Sequence, residues 1–144
     1  MTNSKTTIGR AILALGIFFG FVSFWYTIAF TWNPDFAAVN LPEGPTHSNY
    51  HAFRGGLLAL AVNLLLVWVV VRASTLKPES WAIVTFMAVF YYAGWWLAWP
   101  IWGYHAPNIV AEMNHVGGTL GGLVGLALLR PKAATSASAE PSVR

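Results

Sequence analysis

The chain has no cysteine and very little charge: of 144 residues, 8 are Lys or Arg and 5 are Asp or Glu. Without thiols there can be no disulfide, no thiolate metal site and no cysteine nucleophile. Charged residues make up 9% of the chain, against about 25% in a soluble domain. So few charges means that few side chains have to face water, the condition met inside a bilayer. The formal net charge is +3, but the basic residues stand singly at the ends of apolar segments and form no patch. Nucleic acid is therefore not an expected partner.

Hydrophobic residues account for 56% of the chain, and they fall into four runs, at about 8–30, 51–71, 81–103 and 108–129. At about 1.5 Å per residue each run can cross a hydrocarbon core of about 30 Å. The first run is longer than the apolar core of about 7–15 residues in a cleaved leader, and it ends in aromatics, so it reads as a retained helix. The expected fold class is all-α: an integral membrane four-helix bundle forming a single domain over 1–130, with a disordered tail over 131–144.

The connections carry their own signals. Residues 31–50 contain Pro34, Pro42 and Pro45 and should form a long loop. Pro78-Glu79-Ser80 suits a helix start, and Pro100 should bend or end the third helix. Gly16 with Gly20 and Gly117 with Gly121 are small-xxx-small pairs that admit a close neighbour. That neighbour is either another helix of this chain, or a second copy or partner membrane subunit.

Four spans put both termini and the 72–80 loop on one side. That side collects Lys5, Arg10, Arg72, Lys77, Arg130, Lys132 and Arg144, and the other has only Arg54. The positive-inside rule makes the basic side cytoplasmic, with both termini inside a bacterial inner membrane. Asp35, Glu43, Glu112 and all four histidines then lie toward the periplasmic face.

The fourth run, with its lead-in, holds the chemistry: YHAPNIVAEMNHVGGTLGGLVGLALL, residues 104–129. Ionisable residues within a span are costly and by default mark a functional site. At about 100° per residue His115 shares a sector with Gly118, Gly122 and Gly125, so it should point into the bundle, with Glu112 about 60° away. His51 and Arg54 share a face of the second run. Arg54 and Glu112 have similar expected depths and should pair, directly or through water. The expected site is a periplasm-facing cup of Glu112 and His115 as acid-base groups, with Arg54, His51 and Asn114 as binding groups. Trp95, Trp96 and Trp99 form an interfacial belt or, as the second reading, the cup's aromatic rim.

Such a cup fits three chemistries. A carboxyl and an imidazole tuned by burial can move a proton on a lipid-soluble substrate, as in a cofactor-independent isomerase. Glu112-x-x-His115 with His51 is a minority metal set suited to zinc, copper or iron, which Arg54 would oppose. Otherwise the chain is a non-catalytic accessory subunit or a binder of a lipid-soluble small molecule. In its four spans and aromatic, His/Glu-lined pocket the chain is similar to sterol-isomerase-type membrane proteins. HAFRGG at 51–56, the aromatic end of the third run, YHAPN and AEMNHVGG together resemble a family of small bacterial four-helix membrane proteins of unknown function. The matching residues are Arg54, Gly55, Gly56, Pro107 and Glu112. That resemblance implies a four-helix membrane fold and no particular reaction.

Overall fold

The computed structural model describes residues 3–32, 47–103, 106 and 108–132. They form four helices: α1 Asn3–Trp32, α2 His47–Arg72, α3 Pro78–Trp102 and α4 Ile109–Leu128. Among the described residues there is no strand. α1, α2 and α3 are long and apolar enough to cross a membrane. α4 is shorter, at 20 residues, and falls below that apolarity because Glu112, Asn114, His115 and five glycines interrupt it.

Helix boundaries follow local chemistry. α3 starts at Pro78, whose missing N–H costs nothing at a first helical position. Pro100 does not end α3, which runs on to Trp102. A proline in the last turn removes one backbone bond, and the stop comes at Gly103, whose φ of 68° suits glycine. The Gly103 N–H donates to the Trp99 carbonyl at 2.7 Å. α4 opens with Asn108 as N-cap, its side chain accepting from the Ala111 N–H at 2.9 Å. α2 begins earlier than the sequence pattern predicts and takes in 47–50. Most of the expected 31–50 loop, with Asp35 and Glu43, as well as His105, Pro107 and the tail from 133, lie outside the described residues.

The helices form an antiparallel ring. Gly9 of α1 meets Leu128 and Leu129 at the far end of α4, Leu13 meets Gly125, and Gly16 meets Gly121. On the other side of α1, Gly20 abuts Asn63 and Gly56 abuts Ile28, which sets α2 antiparallel to it. α3 runs against α4, with the Trp81 indole donating to the Leu126 carbonyl at 2.8 Å. α1 and α4 share the most extensive interface, and α2 faces α4 across the bundle without packing extensively on it. The start of α1, the α2–α3 turn and the end of α4 therefore gather at one end. Lys5, Arg10, Arg72, Lys77, Arg130 and Lys132 are all there, and the Arg130 guanidinium sits 5.4 Å from the Trp81 ring centroid.

The faces are inverted relative to a soluble bundle. Outward positions hold Trp25, Phe86, Phe90 and Leu120, all well exposed, whereas Asn63 and Asn114 are buried. Large apolar faces turned outward on every helix match lipid as solvent and not water.

Candidate functional site

A cavity of about 410 Å³ lies among all four helices, in the half of the bundle away from the basic end. α1 contributes Phe19, Gly20, Ser23 and Thr27 to its wall, and α2 contributes Gly55 and Ala59. From α3 come Tyr91, Tyr92, Gly94 and Trp95, and from α4 Asn114, His115, Gly118 and Thr119. The wall is aromatic and small-residued with a few polar groups, the usual composition of a small-molecule site.

Each polar group is held by its helix. Trp95 meets the His115 ring edge to face. One turn deeper the Trp96 indole donates to Thr119 Oγ1 at 2.9 Å, and the Thr119 hydroxyl donates to the His115 carbonyl at 2.7 Å. That relay clamps α3 to α4 beside the imidazole. Tyr92 lies across the backbone of Gly122, its buried hydroxyl without a hydrogen-bond partner among the described residues. At the cavity floor the Asn63 amide donates to the Ala59 carbonyl at 2.8 Å, and its Oδ1 rests on Gly20.

The expected cup is only partly assembled. His115, Asn114 and Trp95 line the cavity. Trp96 stands behind the wall as a clamp. Glu112 is half-buried, one turn before His115 on α4, and is not part of the wall. His51 and Arg54 are exposed on α2, and no direct ion pair joins Arg54 to Glu112 among the described residues. The reason is topological: α2 and α4 are diagonal in the ring, so equal depth does not make them neighbours. His51, Glu112 and His115 are likewise not brought together, and no three His, Asp or Glu side chains converge among the described residues. Trp99 is 61% exposed near the end of α3 and is not among the described wall residues.

Tyr91, Tyr92 and Thr119 are wall or clamp residues that the sequence reading did not single out. Their helical spacing is visible in the sequence: Tyr92, Trp95 and Trp96 share a face at i, i+3 and i+4. Which helix that face meets is not visible there. Compared with known proteins, the chain matches no family model, no curated protein and no solved structure.

Proposed function

We propose that the chain is a multi-pass protein of a bacterial inner membrane whose interhelical cavity binds a lipid-soluble small molecule. The observation that carries this reading is the cavity itself. It is large enough for a small ligand, walled by Phe19, Tyr91, Tyr92 and Trp95, and furnished with Asn114 and His115 inside an otherwise apolar bundle. All four helices cross the bilayer in this reading. α4 does so as one member of the ring, with Met113, Leu120 and Val124 outward and Asn114 turned inward.

The gathering of basic residues at one end supports a cytoplasmic position for that end and a periplasmic position for the cavity half. The absence of native cysteine makes this directly testable. Ser74→Cys should react with a membrane-impermeant thiol reagent only after cells are opened, and Asn49→Cys in intact cells. The reverse pattern overturns the orientation.

Isomerase-like acid-base chemistry is the finer part of the proposal. It assigns proton transfer to His115 on the wall, with Glu112 one turn nearer the start of α4 acting on His115 and not on the ligand. Native mass spectrometry in mild detergent tests the binding reading. Wild type should retain a small apolar mass that Asn114→Leu loses. Retained metal ions would point to a metalloprotein, and a bound polypeptide surviving the exchange would point to an accessory subunit.

A further inference from the structure

Three of the four seams around the cavity are closed by contacts at its own level. α1 and α2 close where Gly20 abuts Asn63 and Gly56 abuts Ile28. α1 and α4 close where Gly117 abuts the Phe19 ring, a Cβ there lying 2.6 Å from Cδ2. α3 and α4 close through Trp95 on His115 and the Trp96–Thr119 bond. The α2–α3 seam differs. Tyr91 of α3 meets Asn63 of α2 on the basic side of the cavity, but beyond it Gly55 and Gly94 both line the cavity and both are exposed, and a Cβ on either would meet nothing within 4 Å among the described residues. The outward residues beside them are Leu58, Phe90 and Leu97, all exposed. The cavity thus opens sideways, between two helices, onto an apolar face.

The wall also specifies a kind of ligand. Asn114 is only 8% exposed and turns toward the cavity. Among the described residues neither its side-chain amide nor the His115 ring nitrogens have a hydrogen-bond partner, and the Tyr92 hydroxyl has none. A buried polar group left unsatisfied costs about 1–3 kcal/mol, so these groups need a partner from whatever fills the space. An amide offers both a donor and an acceptor, the match for a hydroxyl or a carbonyl. Among the described residues no Asp, Glu, Lys or Arg lines the cavity, so a charged head would be desolvated there without a permanent counter-charge.

We propose that the ligand is a neutral, long-chain hydroxyl- or carbonyl-bearing lipid. It enters from the bilayer through the α2–α3 seam at Gly55 and Gly94 and places its head on Asn114 and His115 while its chain trails through the seam. This rests on the binding reading above and adds to it the route and the head group.

Photo-crosslinking in nanodiscs tests each part separately, with a diazirine-bearing long-chain alcohol and its carboxylate counterpart as probes. In wild type the alcohol should label segments 91–95 and 114–119. The carboxylate should label them about tenfold less, the cost of an unpaired buried charge. Gly55→Leu with Gly94→Leu should cut cavity labelling by the alcohol about tenfold, because binding sites reached by a blocked route exchange slowly. Labelling at outward Ile83 and Phe86 should not change, and the melting temperature should not fall. Equal labelling by the carboxylate overturns the neutral head group. Undiminished labelling in the double variant overturns the seam while leaving the cavity reading standing. Wild-type labelling no higher at the cavity than at Ile83 and Phe86 overturns the binding reading itself. Gly94→Val alone serves the same purpose if the double variant does not fold, and the comparison of the two probes needs no variant.

Discussion

The α1–α4 interface and the α2–α3 seam of this bundle use glycine in opposite ways. Toward the basic end, Gly9, Gly16, Gly121 and Gly125 are places where another helix fills the missing side chain. A Cβ on Gly121 would lie 2.6 Å from Gly16 Cα, and one on Gly125 would lie 2.6 Å from Leu13 Cβ. In the cavity half Gly20, Gly56 and Gly117 are filled in the same way, but at Gly55 and Gly94 on the α2–α3 seam nothing among the described residues fills it. The first kind brings backbones together and stabilises the α1–α4 pair by dispersion across the close approach. The second kind leaves a gap. A glycine in a membrane helix is therefore either a contact or an opening, and only its neighbours say which.

The comparison breaks most sharply at the contact glycines. Gly121→Leu should remove the α1–α4 interface, at a cost on the order of 3 kcal/mol or more, because the neighbouring atoms are backbone and cannot move aside. Thermal unfolding in detergent reads this; a variant that melts like wild type would mean that the two helices are not in contact there. A smaller effect is expected from the indole that pins the end of α4. Trp81→Phe deletes the bond to the Leu126 carbonyl and should cost about 1 kcal/mol, lowering the melting temperature while leaving ligand retention intact.

On the cavity side the sign should change. Asn114→Leu removes a buried amide that has no protein partner, so the empty protein should be as stable as wild type or up to about 1 kcal/mol more stable, while ligand retention is lost. Loss of both together would make Asn114 a packing residue. The finest test is one exchange at two positions. Gly94→Ala should stabilise by somewhat under about 1 kcal/mol, the ordinary propensity gain where space is open, whereas Gly121→Ala should destabilise. The same sign at both positions would erase the distinction between contact and opening.

Much of the helical frame was legible in composition and spacing. Apolar runs, the Pro78 start and the Asn108-led start of the last helix are local, and local chemistry sets them. The direction of His115 was legible too, because angle around a helix follows from residue number. The Arg54–Glu112 pair, expected directly or through water, was legible only in depth: no direct ion pair joins the two among the described residues. Depth along a helix can be counted from the sequence, but adjacency cannot, and α1 and α3 stand between the two helices concerned. The glycine pairs were read equally as internal contacts or as a partner's surface. In the fold Gly16, Gly20, Gly117 and Gly121 are all taken up by internal neighbours.

By itself, the sequence determined the helical class, the inverted polarity and the one-sided distribution of cations, because these depend on residue type and order along the chain. Only the tertiary structure decided which seam is closed and which is open. It also decided that the polar wall is Asn114 and His115 facing Tyr92, and that His51 and Arg54 stand outside. Those outcomes depend on distances between helices, and these are set by the fit of side chains such as Phe19 and Tyr92 into the glycine gaps of their neighbours.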